Sequence, residues 1–268
     1  MSNIAANISL LFTEIQQAPA RIFAAQAAGF DGFEVQFPYT SPLETWQHAL
    51  DACPLPLALI NVPAGDLLTG GLGLACVPQK RPEFRQALIE LKTYATTLKP
   101  QGINLLAGCA PAENRKQAYA CLADNILRTL EVSSQLDIPL YMEPINNLDM
   151  PDFLLNTPEE VADVLALAQV GEQDVGLQYD LYHMARMQRH LCQDLKDLQT
   201  WIKHIQFADL PNRQQPSIYP QAEHLDFSLC CAQLKQQGYL GWLAAEYHPS
   251  VEQTQNSLDW LPYFRKSL

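Results

Sequence analysis

Four side chains in this sequence share one chemical character: Glu143 in "YMEPIN", Asp180 in "QYDLYH", Gln206 in "HIQFAD" and Glu246 in "AAEYH". Each closes a short apolar run and offers a hard oxygen. A carboxylate on an otherwise buried run is expensive unless a cation or hydrogen bonds compensate for it. A lone acid in such a place is ordinarily a turn residue or a surface charge, but three carboxylates and a carboxamide in succession make a set. Converging without a cation, the carboxylates would repel one another. Oxygen donors of this kind suit Mg²⁺ or Mn²⁺ better than the sulfur and imidazole sets of structural Zn²⁺. The plainer alternative, acids held in ion pairs at one end of the fold, stays open at this point.

Positioning such a set requires elements that all end on one face. Eight runs have strand character: "ISLLF" (8–12), "GFEVQF" (32–37), "LALINV" (57–62), "GINLLAG" (102–108), "LYMEPI" (140–145), "VGLQYD" (175–180), "HIQFAD" (204–209) and "WLAAEY" (242–247). Between them lie amphipathic stretches with apolar residues at three- and four-residue steps, among them "RPEFRQALIELKTYATTLK" and "DFSLCCAQLKQQG". "NTPEE" carries a capping residue, a proline at the first helical position and two acids in the first turn. Glycines in "AAGF", "KPQGI" and "QQGYLGW" stand where helices would stop. The expectation is an α/β fold, a (β/α)8 TIM barrel forming a single domain over 1–268. An open doubly wound sheet is the competitor, but the turn after the first run, "LFTEIQQAP", lacks the Gly-rich phosphate loop of that fold. In a barrel, the carboxyl ends of the strands carry the chemistry, and the four donors are placed there.

The bulk numbers narrow the partners. With 17 Lys and Arg against 29 Asp and Glu, the formal charge is −12, which repels a nucleic-acid backbone. Seven cysteines with no C-x-x-C spacing point to reduced thiols, with Cys230 and Cys231 simply core. No run approaches the ~18 apolar residues of a membrane span, and the first residues lack a basic segment followed by an apolar one. These features describe a soluble, cytoplasmic protein with no nucleic-acid or membrane partner, for which a homo-oligomer stays open.

In order along the chain, "NISLLFTE", "AAGFDGFE", "FPY", "NVPAGD", "GLAC", "EFR", "NLLAG", "MEPIN", "DLYHM", "HIQFAD", "GYLGW" and "EYHP" resemble the hydroxypyruvate isomerases, a branch of the xylose-isomerase-like barrels. The likeness covers nearly the whole chain, and its specificity lies in the combination of motifs. It implies a divalent metal, Mg²⁺ or Mn²⁺, held by Glu143, Asp180, Gln206 and Glu246. It also implies an aldose-ketose type isomerisation in which Glu143 and Glu246 move the proton. The chemistry suits the residues: a proton leaves one carbon and returns to its neighbour through an enediolate, whose charge a cation stabilises.

Further candidates follow from position. His183 stands three residues after Asp180, and Arg213 follows "ADLPN". A carboxylate substrate needs a cation, and a guanidinium fork suits it. The alternatives are a solvated loop charge and a capped structural histidine. Asp149 is a candidate for a substrate hydroxyl, and Asp209 for orienting a ligand from behind. Phe12, Phe37 and Tyr39 are expected in the core, and His48 and His190 on helix surfaces. No H-x-x-x-H or H-E-x-x-H spacing supports a zinc hydrolase such as the endonuclease-IV-like phosphodiesterases. Two loops depart from the family pattern. After Arg213 the chain reads "QQPSIYPQAEHLDF" in place of "HEPGTGEINY", and after Asp66 it has "GGLGLA" in place of "GERGLA". The expected substrate is a small anionic hydroxy-oxo acid: hydroxypyruvate, or a four-carbon 2-oxo-tetronate. A sugar-acid epimerase or a non-catalytic barrel remains an alternative to the isomerase.

Overall fold

The computed structural model describes residues 3–219 and 222–268. Its strands are β1 (Asn3–Asn7), β2 (Gly32–Val35), β3 (Leu57–Asn61), β4 (Ile103–Asn104), β5 (Leu140–Met142), β6 (Val175–Asp180), β7 (Ile202–Phe207) and β8 (Trp242–Ala245). Neighbours pair in parallel in chain order, and β8 returns to β1 through Ala244↔Ala5 and Ala245↔Ala6, so the barrel closes. Around it lie α1 (Arg21–Ala27), α2 (Leu43–Ala52), α3 (Arg81–Leu98), α4 (Arg115–Leu136), α5 (Pro158–Leu167), α6 (Leu181–Arg186), α7 (Leu191–Asp197), α8 (Phe227–Gln237) and α9 (Trp260–Ser267). The expected (β/α)8 barrel is therefore what the chain forms.

Local chemistry sets several boundaries. α5 starts where "NTPEE" placed it: Pro158 is the first helical residue and Thr157 Oγ1 accepts from the Glu160 N–H at 3.3 Å. α8 begins at the Asp226 cap and ends at Gly238, whose φ of +64° is left-handed. One expected stop is different: α3 ends at Lys99, itself left-handed at φ +50°, before Gly102 is reached.

The first strand lies earlier than expected. Ile8, Leu11 and Phe12 are buried, as strand residues would be, yet the Leu10 and Leu11 amides both donate back to the Asn7 carbonyl and turn the chain. The run is apolar because it folds over the barrel end, whereas the paired segment is the small, unremarked "NIAAN". Its alanines have a reason: Ala5, Ala58 and Ala244 pack with Trp242 in a cluster separate from the main core. Gly32 belongs to the same arrangement, since a Cβ there would stand 2.5 Å from Trp242 Cη2 and 2.8 Å from the Pro56 carbonyl oxygen. Gly32→Ala is expected to destabilise the fold by ~1–3 kcal/mol through overpacking. Urea unfolding reads this directly; an unchanged midpoint would show that the indole moves aside at no cost.

Above this small-residue end, the strand period of two carries polar side chains inward. Gln178 and Asp180 share a face of β6, His204 and Gln206 share a face of β7, and Glu143 and Glu246 each lie just past the last residue of their strand. Glu34, Asn7 and Asn104 join them, and all of these side chains are buried. The apolar core lies outside the barrel, under the helices.

Candidate active site

Glu143, Gln206, Glu246, His183, Asp149 and Arg213 line one cavity of about 130 Å³ at the carboxyl ends of the strands. Asp180 lies beside it, with Oδ2 3.7 Å from His183 Nε2 and 3.9 Å from Arg213 Nη2. A larger cavity of about 290 Å³ at the other end of the barrel, near Lys203 and Gly238, gathers no carboxylates.

Each donor is held by particular partners. Glu143 Oε2 accepts from Gln178 Nε2 at 2.8 Å and Asn104 Nδ2 at 3.1 Å, leaving Oε1 toward His183 Nε2 at 3.9 Å. Asp180 divides its oxygens: Oδ1 accepts from the Tyr182 N–H at 2.7 Å and caps α6, while Oδ2 is buried without a hydrogen-bond partner. Glu246 Oε1 accepts from Asn7 Nδ2 at 2.9 Å and Gln36 Nε2 at 2.6 Å, and Oε2 accepts from Arg213 Nη2 at 2.5 Å. Gln206 donates through Nε2 to Glu34 Oε1 at 2.6 Å, which turns its Oε1 the other way, toward Gln178 Nε2 at 2.6 Å.

Burial works against all three carboxylates as anions. It raises the pKa of Glu143 well above the usual range, helped by Glu246 and Asp180. Asp180 is raised by burial even though Arg213 pulls it down, and Glu246 is pushed up to about 7 for the same opposed reasons. Burial likewise disfavours charge on Arg213, but Glu246, Asp180 and Glu143 outweigh it and raise its pKa. Three carboxylates against one guanidinium leave a formal −2, which a divalent cation cancels. Asp180 Oδ2 is buried and unpartnered, and hard-oxygen donors of this kind suit Mg²⁺ or Mn²⁺. Among the described residues, Glu143, Asp180 and His183 each offer an atom within 4.8 Å of the other two.

Arg213 is no solvated loop charge. Its guanidinium lies 5.6 Å over the Tyr182 ring, and its carbonyl accepts from the His248 N–H at 2.9 Å. The backbone there is left-handed, with φ +54°, a conformation costly for a non-glycine residue and typical of sites where position matters. Asp209, expected behind a ligand, instead pins the following loop: its oxygens accept from the Leu210, Ser217 and Leu225 amides and pair with His224 Nδ1. Asp149 lines the cavity but is engaged by Tyr182 Oη at 2.7 Å and Arg186 Nη2 at 3.1 Å. His183 is buried, and burial together with Arg213 and Arg186 pulls its pKa well below the usual value. Phe12 is core, and Phe37 packs against the core while also lining the cavity. His48 is exposed on α2, while His190 is the residue before α7.

Sequence reasoning passed over Glu34. It accepts from Asn7 Nδ2 and Gln206 Nε2 on one oxygen and lies 2.8 Å from His204 Nε2 with the other, beneath the donor set. The signal was available: an acid inside the apolar strand "GFEV" is the same anomaly that drew attention to Glu143.

Comparison with known proteins agrees with this architecture. Residues 22–264 match the family model described as xylose isomerase-like TIM barrel. Hydroxypyruvate isomerase of Escherichia coli is 33% identical over 266 residues, covering 99% of this chain and 100% of the relative. A 2-oxo-tetronate isomerase of Cupriavidus necator is 31% identical, covering 98% and 99%. Among solved structures, an AP endonuclease, family 2, from Brucella melitensis superposes with a TM-score of 0.88 at 27% identity, covering 98% of this chain and 99% of that one. The closed barrel, the donors at its strand ends and these full-length similarities together show that the chain belongs to the hydroxypyruvate isomerase family of xylose isomerase-like TIM barrels, a family of isomerases.

Proposed function

We propose that the chain interconverts hydroxypyruvate and 2-hydroxy-3-oxopropanoate, using a Mg²⁺ or Mn²⁺ held by Glu143, Asp180, Gln206 and Glu246. The observation that carries this reading is the convergence of oxygen donors on a small cavity with Asp180 Oδ2 unpartnered. Bound there, the cation would polarise the substrate's carbonyl and stabilise the negative charge that develops on its oxygens. The chain supplies the rest. Glu143 and Glu246 extend from β5 and β8, well separated around the barrel, so they can flank the substrate, one taking a proton from carbon and the other returning it to the neighbouring carbon. Arg213, between Glu246 and Asp180, offers the substrate carboxylate its cation. Asp149 steadies Tyr182 and Arg186 beside the cavity and is within reach of a substrate hydroxyl. Apolar Phe37, Leu68, Leu106 and Met150 restrict water around the reacting carbons.

A cavity of about 130 Å³ suits a three- or four-carbon acid, and the −12 charge argues against a nucleic-acid substrate. The Cupriavidus relative favours 2-oxo-tetronate as the second reading. Comparing kcat/KM for the two acids in Mn²⁺-loaded protein decides between them, and turnover of neither would overturn the proposal. Arg213→Ala is expected to raise KM for the carboxylate substrate by ~10–100-fold, the worth of a charge-assisted pair, while Mn²⁺ affinity is nearly retained. An unchanged KM would remove Arg213 from substrate binding.

A further inference from the structure

We infer that Asn146 is a positioning residue that holds His183 in its Nε2–H form, making His183 a hydrogen-bond donor to a substrate oxygen and excluding it from the metal. This rests on the isomerase reading above and adds a donor to its substrate site. Asn146 closes "EPIN", three residues after Glu143, and is fully buried. Its Oδ1 accepts from two backbone amides, Leu148 N at 3.1 Å and Asp149 N at 2.8 Å. Backbone N–H groups can only donate, so the amide cannot be turned round. Nδ2 must then face the other way, where it donates to Asp149 Oδ2 at 3.1 Å and meets His183 Nδ1 at 2.6 Å. A nitrogen that receives an N–H carries no proton. Nδ1 is therefore bare, the ring is neutral, and its one proton sits on Nε2.

Nε2 faces the carboxylate cluster, 3.9 Å from Glu143 Oε1 and 3.7 Å from Asp180 Oδ2. These gaps exceed hydrogen-bond length, so the N–H is available to an oxygen entering the cavity. The same proton removes the lone pair a metal would need. Ligation through Nε2 would move it to Nδ1 and set two N–H groups against each other across 2.6 Å, with Asn146 unable to flip. Proximity alone groups Glu143, Asp180 and His183 as ligands; hydrogen-bond logic takes His183 out of that group. A neutral donor aimed at the substrate is also suited to an oxygen that gains negative charge during the reaction.

The test is ¹⁵N NMR of the full-length chain with Mg²⁺, with the His183 signals identified by their loss in His183→Gln. The expected result is a protonated-nitrogen shift at Nε2 and a bare-nitrogen shift at Nδ1. A proton on Nδ1, or on both nitrogens, overturns the inference. In Asn146→Ala a mixture of the two neutral forms is expected, with kcat/KM lowered about tenfold and Mn²⁺ affinity unchanged. If the Nε2–H form stays pure there, Asn146 is not what sets it. His183→Gln should bind Mn²⁺ as tightly as the parent by electron paramagnetic resonance, and a ~10-fold or greater loss would make His183 a ligand. A parent chain that binds no Mn²⁺ overturns the metal-isomerase reading instead, and the nitrogen shifts still decide the form of His183.

Discussion

Glu143→Gln and Glu246→Gln are each expected to lower kcat for hydroxypyruvate by at least the ~10²–10⁴ typical of a lost general acid or base, with a further loss from weaker metal binding. Glu143→Gln is the cleaner change. A carboxamide oxygen can still accept from Gln178 Nε2 and Asn104 Nδ2, so the side chain keeps its place while the group facing the cavity loses its basicity. At Glu246 the new amide would either confront Arg213 Nη2, now 2.5 Å from Oε2, or give up Asn7 and Gln36. That variant should therefore also raise KM. The accompanying measurement is the parent reaction in D₂O followed by NMR. The glutamate that gives a proton to the product carbon is not the one that took it, so its proton is replenished from solvent between turnovers and deuterium should appear at the carbon that gains hydrogen. Product formed without deuterium would replace proton transfer by a hydride shift.

Asp180→Asn is expected to weaken Mn²⁺ binding by more than the ~10–100-fold usual for a residue that only supports a ligand. It should do so with little effect on the metal-free fold. The reason lies in the division of its oxygens. Oδ1 caps α6 through the Tyr182 N–H, and asparagine caps as well as aspartate does. Oδ2 has no hydrogen bond to lose. In the parent, saturating Mn²⁺ should raise the unfolding temperature, because only the folded chain gathers the donors; at 100 times Kd, linkage gives about 2.7 kcal/mol. Asp180→Asn should unfold at the parent's temperature without metal and show little rise with it. An equal rise in both proteins would remove Asp180 from the site.

The barrel was legible because its signals are local. Alternating runs and helical periodicity report which elements form, and a hard oxygen at the end of a buried run reports a compensating partner wherever that partner lies. Glu143, Asp180, Gln206 and Glu246 were reached in this way, His183 and Arg213 from their positions just after two of those runs, and the structure brings all six together around one cavity. Position within the first unit was not legible. Burial of Ile8, Leu11 and Phe12 mimics a strand, and only pairing with Gly32 and Phe33 shows that the strand is the alanine-rich segment before them.

What the sequence determined by itself was the inventory: eight strand-helix units, a surplus of acid, and one oxygen donor at the end of each of four late strands. Tertiary structure alone decided the pairings: Glu34 with His204 across 170 positions, Asn7 with Glu246 across 239, and Asn146 with His183 across 37. The physical reason is that a side chain's type fixes what it can donate or accept, whereas closure of the barrel fixes which distant group stands within hydrogen-bond reach. That second choice turns Gln206 Oε1 away from Glu34, leaves Asp180 Oδ2 without a hydrogen bond and sets Asn146 Nδ2 against His183 Nδ1.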